Sequence, residues 1–189
     1  MKHKIAIFAS GHGTNFQAIA EAVRRGEIAA VIELMICDQP GAHVIDLARE
    51  ADVRTRVIVR KDYPSKRAFE EEIKEACRAC GIEYIFLAGY MRILGKTLLG
   101  AYPHRIVNLH PALLPSFTGL DAIGQALRKG VKITGVTVHY VDEGMDTGPI
   151  IAQAAVPVED GDTIDSLTER VHAAEHVLYP KTIAKILGN

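Results

Sequence analysis

Three short segments carry side chains whose types and spacing could do chemistry. In Asn108-Leu109-His110-Pro111 an amide and an imidazole stand two residues apart at the end of a short apolar run, so on a strand they project to the same side. Histidine moves protons near neutral pH, and an amide N–H donates to a developing oxyanion. A lone histidine is more often structural, so the pair alone does not choose between the two readings. The loop Asp142-Glu143-Gly144-Met145-Asp146-Thr147-Gly148-Pro149 brings three carboxylates, one of which could orient His110 and stabilise its imidazolium. A solvated acidic turn is the plainer alternative.

The third segment, Ser10-Gly11-His12-Gly13-Thr14-Asn15, lies between an apolar run and a helical pattern. Its glycines let backbone N–H groups approach a ligand, and a helix N-terminus favours an anion. The dinucleotide fingerprint needs a glycine where Phe16 stands, and the P-loop lysine is missing. A phosphate monoester therefore fits better than a dinucleotide or triphosphate. The alternative is a strand-to-helix turn capped by Thr14 or Asn15.

Two other patterns carry less. His172-Ala173-Ala174-Glu175-His176 matches the inverted zinc-protease motif, but a third ligand would have to come from elsewhere, and no metal is expected. Cys77-Arg78-Ala79-Cys80 closes a helix, where the dipole disfavours a thiolate.

The elements that must position these segments follow from hydrophobic patterning. Ile5 to Ala9, Val31 to Cys37, Thr55 to Val59 and Tyr84 to Ala88 read as strands, and Ile106 to Leu109, Ile133 to Tyr140 and Ile150 to Val156 follow. Helical patterns run from the glycine loop to Gly26, near Val44 to Ala51, Ser65 to Cys80, Ala122 to Lys129, and Thr163 to Leu187. Strands that read as continuous apolar runs between helices predict an α/β fold: a Rossmann-like, mostly parallel sheet with helices on both faces. The C-terminal half is less regular. In Ile133 to Tyr140, Thr137 and His139 share one side of the strand. Ligands in such sheets sit beyond the carboxyl ends of the strands, where most of the motifs fall.

The 189 residues fit one domain, and a net charge of −1 leaves no basic excess for a nucleic-acid partner. No apolar run approaches a membrane span, and three cysteines make no disulfide framework, so the cytoplasm is the expected compartment.

In this order and spacing, the segments resemble the phosphoribosylglycinamide formyltransferases of purine biosynthesis, in their small monofunctional form, from Ile5 to about Pro180. The trio Asn108, His110 and Asp146, with Leu113-Leu114-Pro115, marks the wider 10-formyltetrahydrofolate-dependent group. The glycine loop and Glu175-His176 narrow the resemblance to the purine enzyme. It implies the formyltransferase fold, with a phosphate-binding half (about 1–100) and a catalytic and folate-binding half (about 101–189). It also implies 10-formyltetrahydrofolate as co-substrate, glycinamide ribonucleotide as acceptor, and a monomer or homodimer. Asn108 and His110 would stabilise the oxyanion, Asp146 would hold His110, and His139 would support them. Gly13, Thr14, Asn15 and Glu175 would bind the ribonucleotide. Lys66, Met91, Arg92, Ile93 and Leu94 would meet the folate, together with Asn108 and Asp142, Glu143, Gly144, Met145 and Asp146.

Ala112 stands where members commonly carry serine, His12 replaces another polar residue, and Asp121-Ala122-Ile123-Gly124 differs from a His-rich version. A tRNA-acting relative would carry an added basic C-terminal domain, and a formyltetrahydrofolate hydrolase an added N-terminal one. A non-catalytic binding module on the same fold would have no need of the complete trio.

Overall fold

Apolar runs with no polar alternation must bury both faces, and the computed structural model, which describes residues 2–188, shows how they do so. Strands β1 (His3–Ala9), β2 (Ala30–Cys37), β3 (Thr55–Val57), β4 (Tyr84–Leu87), β5 (Ile106–His110), β6 (Ile133–Tyr140) and β7 (Ile150–Pro157) form one sheet in the order β3-β2-β1-β4-β5-β6-β7. β1 to β5 pair in parallel, whereas β6 runs antiparallel to both β5 and β7. On β1, Ile5, Ile7 and Ala9 enter the core on one face, and Ala6 and Phe8 enter the other.

Helices α1 (Thr14–Arg24), α2 (Val44–Glu50), α5 (Ala122–Lys129) and α6 (Ile164–Ile186) cover the first face, and α3 (Lys66–Ala79) and α4 (Lys96–Ala101) the second. The expected α/β architecture is present. The α4 helix has no counterpart in the sequence reading, because six residues with one buried side chain, Leu98, give no periodicity. β3 is shorter than Thr55 to Val59, as an edge strand with one pairing partner can be. Ser65 precedes α3 as its cap, its Oγ accepting from Ala68 N–H at 3.0 Å. No helix among the described residues is long and apolar enough to cross a membrane.

The buried Tyr179 hydroxyl on α6 lies 2.9 Å from the Leu87 carbonyl and 3.1 Å from that of Val107, and is shared between them. That contact ties α6 to the end of β4 and to the adjoining residue of β5, one position before Asn108.

The turn after β1 explains one glycine. Gly13 has φ +83°, and a Cβ there would stand 2.7 Å from Val44 Cβ, so both conformation and space exclude a side chain. Gly13→Ala is expected to lose about 3 kcal/mol in denaturant titration. Gly26→Ala, at φ +76° but in open space, is expected to lose only about 1 kcal/mol.

Candidate active site

The antiparallel pairing of β5 with β6 sets Asn108 opposite His139 and His110 opposite Thr137. Directly opposed residues share a face, so the Asn108 amide and the His139 ring meet, Nδ2 to Nε2, at 3.2 Å. His139 Nδ1 lies 2.9 Å from the Tyr140 carbonyl and must be the protonated nitrogen of the neutral ring, which leaves Nε2 to accept from Asn108. Burial pushes the His139 pKa down, against the opposing pull of the Tyr140 carbonyl and Asp146, which favours that neutral ring.

His110 is engaged on the other nitrogen. Its Nε2–H donates to the Phe117 carbonyl at 2.8 Å, so Nδ1 is the nitrogen that faces Asp146, at 3.5 Å from Oδ2. Asp146 Oδ1 lies 3.7 Å from His139 Nε2, and Oδ2 accepts from the Gly119 N–H at 2.8 Å. One carboxylate therefore stands between two imidazoles, held by a backbone donor.

The segment after His110 is fastened by side chains that the sequence reading did not single out. Thr137 Oγ1, fully buried, donates to the Ala112 carbonyl at 2.7 Å and accepts from Leu114 N–H at 3.0 Å. Gln153 Nε2 is 3.0 Å from both the Leu114 carbonyl and Thr137 Oγ1. In the acidic loop, Asp142 Oδ1 accepts from Gly144 N–H at 3.0 Å and from the Thr147 hydroxyl at 2.7 Å. A Cβ on Gly148 would run into the Tyr140 carbonyl, so the loop can close only with glycine there. The loop is exposed to solvent but bonded within itself through Asp142.

A cavity of about 490 Å³ opens between these parts, a size that suits a drug-sized organic ligand. Asn108, His110 and His139 line it, with Met91, Arg92, Ile93 and Leu94 on one side and Asp142, Gly144, Met145 and Asp146 on another. Met91 is 65% exposed and Ile93 57%, so a plain core role does not describe them, whereas Leu94 is buried in the second core cluster. Glu143 is exposed, does not line the cavity, and sits 3.8 Å from Lys96 Nζ. Lys66 also lies off the cavity lining. Its Nζ is 3.9 Å from Glu70, a buried carboxylate that accepts the Gly95 N–H at 2.6 Å.

At the glycine loop, Gly13 itself precedes α1 in a left-handed conformation, with no side chain capping the helix, so neither Thr14 nor Asn15 serves as the cap. Asn15 instead donates from Nδ2 to Glu175 Oε2 at 2.8 Å, and its buried Oδ1 has no hydrogen-bond partner among the described residues. Burial raises the Glu175 pKa, opposed by the Asn15 hydrogen bond and by the charges of His172 and His110. The predicted members of the phosphate loop and Glu175 are therefore neighbours, and His110 is close enough to act on them electrostatically. His172 and His176 stack with centroids 6.3 Å apart, and no group of three or more His, Cys, Asp or Glu among the described residues is placed to hold a metal. Cys77 is buried, and burial pushes its thiol up to about 12, which makes it a poor nucleophile.

Residues 3–183 match the family described as formyl transferase. The chain is 49% identical over 185 residues to the phosphoribosylglycinamide formyltransferase of Bacillus subtilis (strain 168), covering 98% of this chain and 95% of that one. Among solved structures it resembles glycinamide ribonucleotide transformylase 1 from Geobacillus kaustophilus, with 56% identity, full coverage of both chains and a TM-score of 0.97. It also resembles the phosphoribosylglycinamide formyltransferase of Bacillus halodurans, with 51% identity, 98% and 96% coverage and a TM-score of 0.96.

The His139 shift has a measurable consequence. Burial lowers its folded pKa below the ordinary 6.5, so the unfolded chain takes up a proton first and stability falls as pH drops below about 6.5. Burial lowers His176 too, with the same sign. In His139→Gln, the decline of melting temperature between about pH 6.5 and 5 is expected to be shallower than in the parent chain. An equal slope would assign the acid sensitivity elsewhere.

Proposed function

Because the chain belongs to the formyl transferase family, we propose that it transfers the formyl group of 10-formyltetrahydrofolate to the amine of glycinamide ribonucleotide. The products are formylglycinamide ribonucleotide and tetrahydrofolate, in a step of purine biosynthesis. The observation that carries this reading is the meeting of Asn108, His110 and Asp146 beside one cavity, with a single His110 nitrogen left for chemistry.

The substrate amine attacks the formyl carbon, and negative charge gathers on the formyl oxygen. An amide nitrogen has two N–H bonds. Asn108 gives one to His139 and has the second for the oxyanion. His110 acts through Nδ1, because the Phe117 carbonyl occupies Nε2–H. Protonated at Nδ1, the ring donates to the oxyanion, and Asp146 stabilises that imidazolium. As the bond from formyl carbon to folate N10 breaks, the proton lost by the attacking amine ends on N10, with His110 as the relay. His139 keeps the Asn108 amide oriented and stays neutral while doing so.

Gly13, Thr14 and Asn15 bind the ribonucleotide phosphate through first-turn N–H groups that no side chain caps, and Glu175 contacts the same substrate. The folate pterin lies against Met91 to Leu94 and the Asp142 to Asp146 loop, whose apolar rim and polar floor suit a flat, hydrogen-bonding ring. Glu143 and Lys66 are assigned to the folate on family resemblance, from outside the cavity lining. The domain divides into a phosphate-binding half (about 1–100) and a catalytic, folate-binding half (about 101–189), with Glu175 and Met91 to Leu94 crossing that division. The enzyme works on small molecules as a monomer or homodimer in the cytoplasm, where its three free cysteines suit a reducing compartment.

Purified protein is expected to deformylate 10-formyltetrahydrofolate, followed spectroscopically, only when glycinamide ribonucleotide is present. Folate turnover without the acceptor would indicate a hydrolase instead. His110→Ala and Asp146→Asn are each expected to lower kcat by about 10²- to 10⁴-fold while the far-UV circular dichroism is retained. Unchanged turnover in His110→Ala would sink the mechanism.

A further inference from the structure

The carboxyl ends of three neighbouring strands meet at a side chain that the mechanism does not use. Asp38 follows β2 directly and has no exposed surface, so it touches neither substrate. Its Oδ1 accepts the Ser10 hydroxyl at 2.5 Å, and its Oδ2 accepts Arg92 Nε–H at 2.6 Å and Gln39 Nε2–H at 3.2 Å. Ser10 stands at the end of β1 and opens the glycine loop, whereas Arg92 lies beyond β4 and lines the folate-side cavity.

The Ser10 hydroxyl has one proton. Because it goes to Asp38, the oxygen is left to accept, and it takes the Met91 N–H at 2.9 Å. Ser10 N–H also donates to the Gly89 carbonyl at 3.1 Å. The Oδ1 acceptor of Asp38 therefore fixes the direction of the Ser10 hydroxyl, and that hydroxyl holds the 89–91 segment against the glycine loop. An unpaired carboxylate with no access to water would be strongly unfavourable, so Arg92 is held inward by the same group. Among the described residues Arg92 makes no other hydrogen bond or ion pair, so its direction is set by Asp38 alone.

We propose that Asp38 is a positioning residue that binds the ribonucleotide loop and the folate wall into one unit, through Ser10 on one side and Arg92 on the other. This rests on the assignment of those two subsites in the proposed function. Its two arms differ chemically. The Ser10 arm needs only a hydrogen-bond acceptor, and the Arg92 arm needs the negative charge.

That difference gives the test. Steady-state kinetics on Asp38→Ala should show KM raised about tenfold for both substrates, with kcat within about threefold of the parent. Asp38→Asn keeps an acceptor of the same shape. It should restore the ribonucleotide KM to within about twofold while the folate KM stays raised. Both KM values unchanged in Asp38→Ala, or a lowered melting temperature and kcat with both KM values unchanged, would overturn the proposal and leave Asp38 a packing residue. If Asp38→Ala does not fold, an unchanged folate KM in Asp38→Asn does the same. Calorimetric binding of tetrahydrofolate reads the Arg92 arm without turnover, with weaker binding expected in Asp38→Asn. Absence of transfer by the parent chain would then count against the function, and equal tetrahydrofolate affinity in parent and Asp38→Asn against the proposal.

Discussion

An antiparallel ladder sets residues directly opposite one another, and the site depends on that constraint at one place. β5 pairs in parallel with β4 on one edge and antiparallel with β6 on the other. The parallel side puts its carboxyl end beside that of β4, where the Met91 to Leu94 wall begins. The antiparallel side returns His139 to a position opposite Asn108 and Thr137 to one opposite His110. A shift of one residue in that ladder would turn both β6 side chains to the other face, which the core occupies with Val136 and Val138. The hydrophobic pattern of β6 thus fixes which polar groups meet, and burial of His139 on the opposite face lowers its pKa.

Asp38, Asp146 and Glu175 lie around the carboxyl ends of the strands, and each is surrounded differently. Asp38 is surrounded by a guanidinium, a hydroxyl and an amide, each donating to one of its oxygens, which holds it in place. Asp146 has one backbone N–H on Oδ2 and two imidazole neighbours at 3.5 and 3.7 Å, neither of which makes a direct hydrogen bond to it. Glu175 has one amide donor and is the one pushed upward by burial. The structural carboxylate is the fully bonded one, and those near the chemistry are left partly unsatisfied.

The strands needed only patterning to find, because strands buried on both faces are unbroken apolar runs, and Asn108 with His110 follows from the two-residue period, whereas their order in the sheet comes from the packing. Register across distant strands is another matter. Nothing local says that residue 139 faces residue 108, so the sequence gives His139 a supporting role and no partner. Phe117 and Gly119 contribute a carbonyl and an N–H, which any residue type possesses. Asp38 sits in Asp38-Gln39-Pro40-Gly41, whose composition is that of an ordinary exposed turn; only the packing of β2 beside β1 buries its first residue. Lys66 lies off the cavity lining, beside Gly95 and 3.9 Å from Glu70, a placement that nothing in the local sequence of α3 announces.

The backbone around the cavity also carries strain with a visible use. Phe117, Asp121 and Asp146 all have φ near +55°, a region that costs an L-residue about 1–3 kcal/mol. For Phe117 the return is direct. The turn aims its carbonyl at His110 Nε2, and that hydrogen bond decides which ring nitrogen is free. For Asp146 the same conformation comes with Oδ2 on the Gly119 N–H, two residues beyond Phe117. One strained turn therefore fixes both the tautomer of the neutral histidine and the carboxylate that stabilises its charged form. A relaxed turn would release both at once, so the backbone geometry at Phe117 belongs to the proton chemistry as much as the imidazole does.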